Sequence, residues 1–215
     1  MSDQQFRFDF GEKPAPRRPK KPERVFICLD VGEAGREIEN CRCGVVSEYR
    51  LHGSEIPVER FHLSICHLGD FKRIPSHIPF AVMRAAQRIA VSAFDIVLDH
   101  TVTFPSGRPD KRPTVLLARS PELTAFGERV HRELLAQGLR TTPLRSPHVT
   151  LLYGPRSISA HAVRPIRFRA TRFYLIHSEL WLTKYNVLGC WPLSDRGPAS
   201  EQELKVPIAF GSMAA

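Results

Sequence analysis

The chain has 215 residues, a formal charge of +9 and a pI near 9.7. That length can bury one substantial core, or two small lobes packed into one, without covalent staples. Five cysteines, an odd number, argue against a disulfide framework and for a reducing cytosol; no apolar run approaches the roughly 20 residues of a membrane span, and the polar N-terminus does not read as a secretory leader. A cytoplasmic protein, monomeric and without membrane contact, is expected. The basic balance favours polyanionic partners such as nucleic acid.

Residues 1–23 contain Pro14-Ala15-Pro16-Arg17-Arg18-Pro19-Lys20-Lys21-Pro22 and too little apolar surface to pack. They read as a disordered basic leader, either an electrostatic arm for RNA or a solvated tail. The ordered domain is expected over 24–193, beginning with a buried strand at 24–30 and a helix near 33–40. A strand over 58–69 follows. Pro75 and Pro79 bracket a turn into a helix over 80–92, where Val82, Ala85, Ala86 and Ile89 keep three- and four-residue spacing.

Residues 94–104 alternate as a long strand, and the turn-rich segment Pro105 to Pro113 carries Arg108, Lys111 and Arg112, cations suited to phosphate if the loop overhangs a site. A strand at 114–118 leads to Ser120-Pro121-Glu122, a helix start with a hydroxyl cap, a first-turn proline and an acid at the positive end of the dipole. Gly138 ends that helix. Strands are then expected at 147–153, 171–180 and 184–193, and residues 194–215 read as an extended or loosely packed tail.

Two of these strands carry one pattern. Phe61-His62-Leu63-Ser64-Ile65-Cys66 and Pro147-His148-Val149-Thr150-Leu151-Leu152 each place a histidine two residues before a hydroxyl. Side chains at i and i+2 share a strand face, so His62 joins Ser64 and His148 joins Thr150. If the strands lie side by side, two imidazoles and two hydroxyls converge. Imidazole titrates near neutrality, so one copy can take a proton while the other gives one, and the hydroxyls can hydrogen-bond non-bridging phosphate oxygens. This chemistry needs neither metal nor cofactor. The chain has no P-loop, no His-Glu-x-x-His, no paired Cys-x-x-Cys and no Gly-x-Ser-x-Gly elbow. His67 falls on the face opposite His62 if the strand is regular.

The two blocks resemble those of the two-histidine (2H) phosphoesterase superfamily, most closely its bacterial branch of RNA 2′,3′-cyclic phosphodiesterases, also called 2′-5′ RNA ligases. Residues 60–70 look like the first block, Pro147 to Leu152 like the second, and Val25 to Leu29 like the opening strand. The resemblance implies an α+β fold, bilobal and pseudo-two-fold, with two antiparallel sheets flanking a central cleft and helices outside. It implies hydrolysis of a 2′,3′-cyclic phosphate, on RNA ends or small nucleotides, to a 2′-phosphate, with His62 and His148 catalytic and Ser64 and Thr150 binding phosphate. An RNA-binding protein without turnover and a 2′-5′ ligase of tRNA halves are the alternatives. Tyr174, Ser178 and Tyr185 fall where relatives place cleft residues. Tyr153 stands where the bacterial branch often has an arginine, leaving Arg108, Lys111 or Arg112 to replace that cation.

Overall fold

The computed structural model describes residues 19–142, 145–182 and 184–194, and among these the sequence patterns resolve into nine strands and three α-helices. The apolar run near the N-terminus forms β1 (Glu23–Asp30), whose Val25, Ile27 and Leu29 enter the main core while Phe26 and Cys28 face the other way. A single 3₁₀ turn leads into α1 (Gly35–Tyr49), much longer than the expected 33–40 segment. The short β2 (Ser54–Glu55) and a 3₁₀ turn at Val58–Arg60 precede β3 (His62–Phe71). The first motif strand thus starts at His62, not at 58.

The next helix, α2 (His77–Ala86), begins one turn before the expected position and takes in Pro79. A proline in the first turn costs no helical hydrogen bond, because the first four amides of a helix lack intrahelical acceptors. The helix closes earlier than expected through three-residue turns from Arg88 to Ala85 and from Ile89 to Ala86. Strands β4 (Phe94–Thr103) and β5 (Arg112–Arg119) follow. In α3 (Pro121–Ala136) the Ser120 hydroxyl accepts from the Leu123 amide at 3.3 Å, and Gly138 terminates the region at φ +80°. The chain ends with β6 (His148–Gly154), β7 (His161–Ala170), β8 (Arg172–Glu179) and β9 (Lys184–Pro192).

Strand order is β7-β4-β5-β6-β3-β1-β8-β9, all neighbours antiparallel, with β2 added to β6. A pseudo-two-fold axis runs between β3 and β6: α1 connects β1 to β3 as α3 connects β5 to β6. The two expected sheets meet there through one residue pair, Leu63 with Val149. Both are fully buried in the core that α2 and α3 cover. Each such side chain contributes about 1.5–3 kcal/mol through burial, so apolar packing rather than a long ladder joins the halves.

The leader and tail lie outside the described residues apart from 19–23 and 194. All five cysteines are free, and among the described residues no helix is long and apolar enough to cross a membrane.

Candidate active site

The Leu63–Val149 pair fixes the site. Continuing its antiparallel register by one residue in each direction sets His62 across from Thr150 and Ser64 across from His148. Because Leu63 and Val149 point into the core, these four half-buried side chains share the opposite, open face. The two imidazoles take diagonal corners of the group and the two hydroxyls take the others.

Both histidines are wired alike. The His62 Nδ1 donates to the Arg60 carbonyl at 2.8 Å, and the His148 Nδ1 donates to the Ser146 carbonyl at 2.7 Å. A carbonyl oxygen only accepts, so Nδ1 carries the proton in each ring and the basic lone pair of the neutral form lies on Nε2. Burial pushes both imidazoles down from their ordinary value. His62 falls to about 4, with the charges of Arg60 and His148 adding to the desolvation; His148 is lowered too, against a raising effect of the Ser146 carbonyl. Ring contacts hold each group in place: Phe26 lies 4.9 Å from His62, and Phe104 meets His148 edge-on at 5.0 Å.

The two motif strands share a second feature. In β3 the partners of Cys28 and Ile27 are Ser64 and Cys66, so Ile65 is an extra residue; in β6 the partners of Val115 and Thr114 are Thr150 and Leu152, so Leu151 is one. Each strand therefore bulges one residue after its hydroxyl, which turns the later side chains over. His67 consequently pairs with Phe26 on the cleft face, contrary to the placement a regular strand dictates. Tyr153 occupies the equivalent position in β6, paired with Pro113 and exposed at the rim. Past the bulge the strands diverge, and β2 takes the freed edge of β6 by pairing Ser54 with Tyr153.

Beyond the motifs, β1, β8 and β9 furnish one wall. Tyr174, Phe26, Cys28 and Ile176 form a small apolar cluster with Tyr185 and Cys190 against it. The Tyr185 ring lies 5.7 Å from His62, and the Arg60 guanidinium sits 4.3 Å above that ring. Ser178 is buried between Arg24 and Tyr185 in the strand register. Phe26, Arg60 and Phe104 received no role from the motifs; the available signal for Arg60 was its position two residues before His62.

The loop cations are placed differently. Arg108 and Lys111 are exposed at the tip of the β4–β5 connection, where the Lys111 amide bonds the Arg108 carbonyl at 3.0 Å. Arg112 pairs with Gly154, and its guanidinium donates to the Pro155 carbonyl and Ser157 hydroxyl at 3.1 Å each. Alternation from Pro113, which shares the face of Tyr153, directs Arg112 to the other side of the sheet.

The antiparallel α+β sheet that carries the paired histidine motifs at its pseudo-two-fold axis is a fold shared with solved structures. A protein described as a phosphoesterase superposes with a TM-score of 0.59 at 20% identity, covering 80% of this chain and 99% of its own. Escherichia coli LigT complexed with NADP+ gives 0.59 at 21% identity over 81% and 99%, and TT0787 of Thermus thermophilus gives 0.60 at 21% over 81% and 98%. No family model matches the chain, and no curated protein sequence does.

Proposed function

We propose that this chain is a two-histidine phosphoesterase that opens 2′,3′-cyclic phosphates, on RNA ends or small nucleotides, to 2′-phosphates by general acid–base catalysis. The observation that carries the reading is the wiring of the imidazoles: both Nδ1 protons are committed to backbone carbonyls, so both Nε2 atoms are available on the face that holds Ser64 and Thr150. Such a pair suits a reaction needing one proton removed and one supplied.

His62, the more strongly depressed of the two, is neutral near pH 7 and serves as base. Its Nε2 takes a proton from water as the water oxygen bonds to phosphorus. The bond from phosphorus to the 3′ oxygen breaks, and His148, protonated on Nε2, gives that oxygen its proton. The products are a 2′-phosphate and a 3′-hydroxyl; His62 returns its proton to solvent and His148 regains one. Ser64 and Thr150 donate to the non-bridging oxygens, and their strands hold the four groups in place before substrate arrives.

Structures of LigT with 3′-AMP, ATP and NADP+ support nucleotides as the ligand class to test. The test is incubation with an RNA bearing a 2′,3′-cyclic end, and with nucleoside 2′,3′-cyclic phosphates, in the presence of EDTA. A 2′-phosphate product, reduced about 10²–10⁴-fold by His62→Ala and by His148→Ala, is expected. Unchanged RNA bound tightly and salt-sensitively would replace this reading with the binding protein, and joined RNA halves would replace it with the ligase.

A further inference from the structure

We propose that Arg60 is the phosphate-binding cation of this cleft, gripping a non-bridging oxygen beside His62 and taking the place of a cation that Tyr153 does not provide. The inference rests on the phosphoesterase reading only in naming the anion as a phosphoryl group.

Arg60 is fixed to the site at both ends. Its carbonyl accepts from His62 Nδ1, while the 3₁₀ turn Val58–Arg60 is closed by the Phe61 amide on the Val58 carbonyl at 3.1 Å. The buried Arg42 tethers the preceding residues, donating to the Ile56 carbonyl and pairing with Glu55 at 3.1 Å. The Arg60 guanidinium rests on the Tyr185 ring, whose centroid is 5.7 Å from that of His62. Stacking occupies the face of a guanidinium and leaves its N–H edge able to make in-plane hydrogen bonds to an oxyanion.

Among the described residues no carboxylate pairs with Arg60; its guanidinium hydrogen-bonds Tyr185, while its Nε is buried without a hydrogen-bond partner. Its competitors are engaged or remote. Arg24 is held by both oxygens of Asp70 at 2.8 and 2.9 Å, and Arg112 is tied to the β6–β7 connection. Arg108 and Lys111 stand exposed at the loop tip. A buried, unpaired donor on a cation is costly to retain unless an acceptor visits it. The charge already acts on the site, since it helps to hold His62 neutral. A bound phosphate would offset that repulsion and let His62 accept its proton.

The experiment measures binding without turnover. Wild-type protein, R60M, R60K and, as a distant charge control, R169M are titrated with inorganic phosphate and with adenosine 2′-monophosphate, followed through the imidazole NMR signals of His62 and His148. R60M is expected to bind both probes about 10- to 100-fold more weakly, R60K to fall between, and R169M to match wild type. In R60M without ligand the His62 titration midpoint rises. Should R60M not fold, R60K carries the test: a charge without the planar fork must still weaken the grip. Affinity within twofold of wild type in R60M, or in R60K where that variant stands in, overturns the assignment. Loss of phosphate affinity in a protein that opens no cyclic phosphate would overturn the catalytic reading and leave this one standing.

Discussion

His62 and His148 differ in environment although the motifs around them are nearly alike. The Arg60 charge beside His62 has no counterpart among the influences on His148, and this breaks the symmetry between the two imidazoles. In the proposed reaction the free protein must have His62 neutral, above about 4, and His148 protonated, below a value itself depressed from 6.5. The kcat/KM profile is therefore expected to be a bell lying on the acid side of pH 6.5. The bell in kcat should lie higher, because a bound phosphate anion favours the charged form of both rings. Initial rates from about pH 3.5 to 9 check this; kcat/KM still rising through about pH 8 would rule out the paired assignment. Replacing the smaller groups acts more gently, with Ser64→Ala and Thr150→Val each costing about 10-fold in kcat/KM, the order expected for one hydrogen bond to a charged group.

At the scale of elements, β2 must lie almost in contact with β6 to cover the edge that β3 leaves. Gly53 and Gly154 permit the approach: a Cβ on Gly53 would fall 2.1 Å from the Tyr153 carbonyl oxygen, and one on Gly154 would fall 2.3 Å from that of His52. Both obstacles are backbone. Gly53→Ala is accordingly expected to destabilise the chain by about 2 kcal/mol, within the range for overpacked sites, and to lower Tm by roughly 4–8 °C in a protein of this size. Gly107→Ala, which meets open space, serves as the comparison in the same melting experiment.

The elements that sequence reading found are those in which local chemistry and tertiary position agree. Ser120-Pro121 starts α3 by itself, and β1, β4, β8 and β9 are marked by apolar or alternating runs. The strand β7 was not found, because Pro165 and the exposed Arg164, Arg167 and Arg169 argue against a strand unless one knows that it lies at the sheet edge, where proline is tolerated. The bulges were equally hidden. Ile65-Cys66 and Leu151-Leu152 are pairs of adjacent apolar residues, and only the partner register reveals that both members are buried at a bulge. The histidine and hydroxyl positions were legible from two-residue periodicity; Arg60 was not, since its place depends on a 3₁₀ turn and on Tyr185, 125 positions later in the chain.

For the whole molecule, a neutral histidine on the cleft wall links function to stability. The folded pKa of His62 is depressed, so the unfolded chain takes up its proton first as pH falls. The stabilisation of the folded form is present above 6.5 and is lost between 6.5 and about 4. The full shift would correspond to at most roughly 3–4 kcal/mol at 1.36 kcal/mol per unit, reduced by solvation of the half-buried ring. Urea melts from about pH 7 to 4 should show this loss in wild type and a shallower one in His62→Gln. Equal slopes in the two proteins would remove His62 as the source.

The pseudo-two-fold axis between β3 and β6 has a stereochemical consequence. A phosphorus atom held between histidines on diagonal corners is approached by water from one side while its leaving oxygen departs from the other. The proposed reaction is then an in-line displacement, and a cyclic phosphorothioate of defined configuration, opened in isotopically labelled water, should emerge with its handedness at phosphorus inverted.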